Sequence, residues 1–224
     1  RETGWLNDII VRSYKRDRYI GMGEAVGRYL EHSRFPYETI SILAAAYRLR
    51  IPATIHVGIG YDIIHEHPNC DGAATGALSY NDFLKFASAV QRLENGVVMN
   101  FGSSVMAPEV FLKALNLARN LGDKVQDFTA ANFDMIYQYR PAQNVVSRPV
   151  SGKGKGYYIV GHHEIMLPLL AQAIIEKIAE KRLTKIRHVS LNQLQIGFRF
   201  TSAPAILIAA FHAIGIILAT CSRS

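Results

Sequence analysis

Between Tyr37 and Glu180 the apolar positions switch between a helical and a strand-like rhythm, and glycine or proline marks most of the switches. Tyr37–Arg48 places Ile40, Leu43, Ala44 and Tyr47 on one helical face behind Pro36. The β-rich run Ile51–Gly58 follows it. The unit then repeats in kind. A helix is expected over Asn81–Leu93, with Phe83, Phe86, Ala87 and Val90 inward, then Gly96, the strand Val97–Phe101 and Gly102-Ser103-Ser104. A strongly periodic helix, Pro108–Asn120, stops at Gly122. A third strand is expected over Lys124–Thr129, with Ala130-Ala131-Asn132 beyond it. The loop Ser151–Gly156 leads into a strand at Tyr157–Val160, and His162-His163-Glu164 open a helix, Ile165–Glu180. Upstream, residues 5–31 read as two helices interrupted by Gly21, Gly23 and Gly27. Strands alternating with helices at these lengths predict an α/β fold, a doubly wound and mostly parallel sheet with helices on both faces.

The rhythm fails at the carboxyl end. Ala203–Thr220 is almost wholly apolar, broken by Pro204, His212 and Gly215, and reads as a buried core helix, a membrane span or an aberrant terminus. A basic flank alone is weak topology evidence, so the core and aberrant readings are preferred to a span. His188–Thr201 carries no clear element. The expected organisation is one domain over 1–187, incomplete at its amino end, and an atypical apolar tail over 188–224.

Composition adds little to this. With 224 residues, 49% apolar and 19% charged, the chain can bury one full core. Its net charge of +7 favours anionic partners in a general way. The basic clusters (Arg12, Lys15, Arg16 and Arg18; Lys177, Lys181, Arg182, Lys185 and Arg187) read first as solvated helix faces, and no nucleic-acid motif accompanies them. Cys70 and Cys221 do not form a disulfide framework, so a reducing cytoplasm is the expected compartment. Arg1 in place of Met suggests a fragment or processed chain, with no signal peptide visible.

Ligands of α/β sheets sit beyond the carboxyl ends of the strands. There this chain places small and polar residues: Gly58–Asp62, Gly102–Ser104, Thr129–Asp134 and Gly161–Glu164. Small residues admit a pyrophosphate to the backbone, although turn chemistry explains them equally well, and Gly58-Ile59-Gly60 lacks the third glycine of the dinucleotide fingerprint. A second group comprises His56, His65, His67 and Cys70, with His162, His163 and Glu164 later. Its spacing fits no standard zinc site, so no metal is expected and the histidines read as proton carriers or hydrogen-bond partners in a polar cleft. Asp62, Glu66, Asp71 and Asp82 suit either a cationic substrate or ordinary surface positions. Lys153 and Lys155, within Gly152-Lys153-Gly154-Lys155-Gly156, suit an imine-forming lysine, a mobile anion-binding lid or a solvated loop.

An ordered set of segments over residues 18–180 resembles the deoxyhypusine synthase family. Tyr47-Arg48-Leu49-Arg50-Ile51-Pro52 followed by Asp62-Ile63-Ile64-His65 is similar to the family's helix, Ile-Pro and strand unit with Gly-Asp-Met-Ile after it. Gly102-Ser103-Ser104-Val105-Met106 stands for Gly-Gly-Gly-Val-Val, and Thr129-Ala130-Ala131-Asn132-Phe133-Asp134 for Thr-Ala-Gln-Glu-Phe-Asp. Arg140-Pro141 and Leu167-Pro168-Leu169-Leu170 match its Arg-Pro and Phe-Pro-Leu-Leu. The resemblance implies a Rossmann-like sheet and a homotetramer with sites at subunit interfaces. It also implies an NAD-dependent reaction in which spermidine's aminobutyl group passes through a lysine imine to a lysine of translation initiation factor 5A. Gly102, Ser103, Ser104, Thr129, Ala130 and Asp134 would then contact NAD, and Asp62 and His65 a small amine substrate.

The chain departs from that pattern where the chemistry lies. The family's catalytic lysine falls on Pro149, its His-His becomes Pro108-Glu109, and its Ala-Asp-Ala-Ser becomes Gly161-His162-His163-Glu164. Lys153, Lys155, His162 and His163 are therefore the candidate catalytic residues. The expected function is aminobutyl transfer or a related amine oxidation, with an inactive NAD-binding protein of the same fold as the alternative.

Overall fold

A computed structural model describes residues 2–189, 205–210 and 215–220. Helices α1 (Glu2–Arg16), α2 (Met22–Glu31) and α3 (Ile42–Arg48) precede β1 (Ala53–Ile55) and α4 (Gly72–Val90). Then come β2 (Val97–Phe101), α5 (Met106–Asn120), β3 (Thr129–Asp134) and the single turn α6 (Tyr139–Pro141), continued by a π-helical stretch over Ala142–Ser147. β4 (Lys155–Val160), α7 (His163–Val189), β5 (Ala205–Ala210) and β6 (Gly215–Thr220) complete the order.

Caps explain two displaced helix starts. α3 begins at Ile42 rather than Tyr37, because Ser41 accepts the Ala44 N–H and Glu38–Ile40 is held in a separate 3₁₀ turn. α4 begins at Gly72, well before Asn81, where Asp71 accepts the Ala74 N–H at 2.9 Å.

The strands lie in the order β1-β5-β6-β2-β3-β4. β2, β3 and β4 form a parallel trio in which Asn100, Asn132 and Tyr158 stand in one row. β5 runs parallel to β1, and β6 runs against both β5 and β2. The fold is therefore α/β, as the rhythm predicts, with one strand reversed. The period of two separates the trio's faces. Val98 and Ala130 join Phe86, Phe111 and Leu115 of α4 and α5 on one side, while Met99, Phe101, Ala131 and Phe133 meet Met166 and Leu170 of α7 on the other. A further core gathers Ile10, Met22, Val26, Ile55 and Leu78 where α1, α2 and α4 close over β1.

Two expectations are corrected here. The third strand is Thr129–Asp134, not Lys124–Thr129. Val125 and Phe128 are buried from an irregular loop, and their burial imitates a strand pattern. The apolar run near the carboxyl end forms β5 and β6 rather than a helix, and among the described residues no helix is long and apolar enough to cross a membrane. Pro204, His212, Cys221 and residues 190–201 lie outside the described residues.

The helix glycines of α2 have a steric cause. A Cβ on Gly23 would stand 2.0 Å from the Ala53 carbonyl oxygen, and one on Gly27 would stand 2.5 Å from that of Leu43. Without side chains there, α2 lies directly against β1 and α3. Buried Asp82 fastens the same junction: its Oδ2 accepts both the Gly23 and the Ile55 N–H, each at 2.8 Å.

Candidate functional site

Polar residues converge where β2, β3 and β4 end. Asn100 and Asn132 are fully buried, and Asn100 donates to both the Asn132 side chain and the Ser103 carbonyl. Gly102 turns the chain out of β2 with φ 66°, a left-handed conformation that suits glycine, and its N–H donates to Phe133 O at 2.9 Å. Ser103 Oγ accepts the Ala107 N–H and so holds the first turn of α5 at this edge. Ser104 is half-buried beside it.

Asp134, only 7% exposed, closes β3. Its Oδ1 accepts the Met135 N–H and its carbonyl accepts the Gly161 N–H, while Oδ2 is buried without a partner. His162 is exposed, and its carbonyl accepts the Ile165 and Met166 N–H groups in the first turn of α7. His163 is half-buried, with a buried Nδ1 that has no partner.

Tyr158 supports this edge from β4. Its hydroxyl accepts the Gln138 N–H and donates to Ile136 O, and its ring lies 4.9 Å from that of Tyr137. Burial, and then the charge of Asp134, raises its phenol above the usual value. On the α5 side, Glu109 Oε1 accepts from Asn144 at 2.8 Å, and Asn144 in turn accepts from Arg148. The bond to Lys113 is the main cause holding the Glu109 carboxyl below its ordinary value. Met135, Ile136, Tyr137 and Tyr139 leave the rim open and apolar.

Several expected site residues lie elsewhere. Thr129 and Ala130 stand at the amino end of β3, where Ala130 is fully buried beneath α4 and α5. Lys155 opens β4 and Lys153 precedes it, both exposed, so they lie roughly 17 Å along the strand from Val160. Gly154 and Gly156, on either side of Lys155, are packing positions. A Cβ on Gly154 would meet Phe128 O at 2.4 Å, and one on Gly156 would meet Val146 O at 2.0 Å. Pro149 is buried, and its carbonyl accepts from Arg119 near the carboxyl end of α5.

Asp62 and His65 lie beyond β1, separated from β2 by two strands, or about 14 Å. Asp62 accepts the Gly58 N–H and borders a cavity of about 20 Å³, the space of roughly one water. His65 Nδ1 bonds to Asp62 O, and His67 bonds to Asn69. His56 is a core residue beside Phe86, its pKa lowered to about 4 by burial. Among the described residues no three His, Cys, Asp or Glu side chains gather as metal ligands.

The rim residues that sequence reasoning missed are Asn100, Asn132, Tyr158, Glu109 and Asn144. A signal existed for two of them: Met99-Asn100-Phe101 and Ala131-Asn132-Phe133 each set an asparagine in an otherwise apolar strand. The chain matches no protein-family model, no curated protein and no solved structure.

Proposed function

We propose that the carboxyl edge of β2, β3 and β4 binds NAD in a Rossmann-like, doubly wound arrangement. In this reading the chain is a deoxyhypusine synthase-like protein that oxidises a small, polyamine-like amine. The observation that carries it is Asp134, a buried carboxylate with Oδ2 unpartnered at the end of β3, next to Phe133, whose carbonyl accepts the Gly102 N–H. A carboxylate so placed accepts ribose hydroxyls, while Gly102, Ser103 and Ser104 bring the backbone and the amino terminus of α5 to a pyrophosphate. NAD, when bound, supplies a hydride acceptor for the carbon beside the amine nitrogen. In this reading half-buried His163, with its unpartnered Nδ1, takes the amine proton, and exposed His162 passes it to solvent.

Lysine-mediated aminobutyl transfer, and with it a protein lysine acceptor, fits less well. Pro149 is buried, and Lys153 and Lys155 stand at the opposite end of β4. The same observation favours the second reading, a protein that binds NAD without catalysis. The open rim of Met135, Ile136, Tyr137 and Tyr139 suits completion by another copy, as the family's tetramer implies, and a cytoplasmic location belongs to this reading.

NADH formation with spermidine and related amines tests it. Wild type is expected to turn over, His163→Gln to lose about 100-fold, and a Lys153→Ala/Lys155→Ala variant to stay within about twofold. No NADH from any amine, in a chain that binds NAD, would leave the second reading standing.

A further inference from the structure

A cavity of about 700 Å³ lies between α1 and α2, far from the rim and unused by the proposed reaction. Arg12 and Arg16 reach it from α1, Arg28 and His32 from α2 and its cap, and Arg34 from the loop beyond. Arg12 and Arg16, like Arg28 and His32, are four residues apart, so each pair shares one helix face. Among the described residues no acidic side chain lines the cavity.

Nearby acids are engaged elsewhere. Glu24 pairs with Lys85 at 2.8 Å, Glu31 with Arg48 at 2.7 Å, Asp8 accepts from Asn69, and Asp17 accepts the Tyr19 N–H. Among the described residues Arg12, Arg16, Arg28 and Arg34 form no ion pair. Helix-dipole compensation accounts for a cation in the last turn of each helix. It does not account for four guanidinium groups sharing one cavity with no counter-charge among the described residues, since like charges at this spacing oppose folding.

We infer that this cleft binds an organic polyphosphate, such as a nucleoside di- or triphosphate. Guanidinium groups recognise phosphate oxygens in bidentate fashion, and converging arginines suit adjacent phosphates. The volume lies in the range of small-molecule sites. The organic part has its own surface. Ile9 and Ala25 form an apolar floor, and Tyr29 and Phe35 are braced edge-on by Trp5 at 4.8 and 5.1 Å. Trp5 is the chain's one tryptophan, so its emission reports on this wall alone.

ATP and inorganic tripolyphosphate are titrated against the full chain and followed by Trp5 fluorescence and calorimetry. Saturable ATP binding is expected, tighter than tripolyphosphate and weakened by added salt. Arg12→Gln/Arg16→Gln is expected to weaken it by at least about tenfold. The control Lys15→Gln/Arg18→Gln removes the same charge from the same segment outside the cleft and is expected to change affinity less than about twofold. Absence of saturable binding, or equal losses in the two variants, overturns the site. Equal affinity for ATP and tripolyphosphate overturns the organic ligand. Asp134→Ala is expected to leave ATP binding intact, which separates this cleft from the NAD rim.

Discussion

Gly23→Ala is expected to destabilise the chain by about 3 kcal/mol, read as an urea midpoint shifted at nearly unchanged slope. The added methyl would stand 2.0 Å from the Ala53 carbonyl oxygen. That neighbour is backbone, held in β1 by its register with Leu207 of β5, so it cannot rotate away. Relief requires α2 to move off the sheet, and movement pulls the Gly23 N–H from Asp82. A glycine inside a helix ordinarily costs about 1 kcal/mol relative to alanine, so an exposed helical glycine would respond with the opposite sign. An unchanged or raised midpoint would show that α2 does not lie against β1 as described.

At the same junction, Asp82 is expected to make stability depend on pH. Burial raises its carboxyl from an ordinary 3.8 to about 6, outweighing the lowering effect of the Gly23 and Ile55 N–H bonds and of Lys85. The folded chain therefore holds this proton more tightly than the unfolded chain does. Its stabilising contribution is full below about pH 4, falls as pH rises toward 6 and is gone above that, a span of up to about 3 kcal/mol. Both N–H donors meet the same oxygen, so Asp82→Asn keeps an acceptor and removes the titration. The stability of wild type minus that of Asp82→Asn is thus expected to fall between pH 4 and pH 7, with other titrating groups common to both chains. Asp82→Ala leaves two buried donors unpaired and is expected to lose about 2 to 6 kcal/mol at every pH. A wild type and Asp82→Asn that track each other across that range would show that Asp82 does not titrate there.

Local pattern made much of the α/β framework legible. Val97–Phe101 is a strand over the expected residues because its apolar run is bounded by Gly96 and Gly102. The helix of His163 onward begins within two residues of its expected start. Failures came where burial and backbone conformation part company. Val125 and Phe128 bury from a loop, which displaced the third strand and with it the placement of Thr129 and Ala130. The run Ala203–Thr220 was ambiguous because a continuous apolar stretch has no period to read. β5 and β6 take it into the middle of the sheet, between β1 and β2.

The rim was only half legible. Gly102, Ser103, Ser104, Asp134, His162 and His163 share one edge because each follows, or ends, a strand of the parallel trio. Lys153 and Lys155 are equivalent to the rim residues in local pattern, yet Lys153 precedes β4 and Lys155 opens it, so both stand at its other end. The row of Asn100, Asn132 and Tyr158 depends on register between strands far apart in the chain, which no local pattern carries.

Calorimetric titration with NAD tests the central claim most directly. It is run in the Arg12→Gln/Arg16→Gln background, so that the basic cleft between α1 and α2 does not contribute, and repeated with Asp134→Ala and with Lys155→Ala. The account predicts binding that Asp134→Ala weakens by at least about tenfold and Lys155→Ala leaves unchanged. No binding by the folded chain, or equal weakening by both substitutions, would contradict a nucleotide site at the carboxyl edge of β2, β3 and β4.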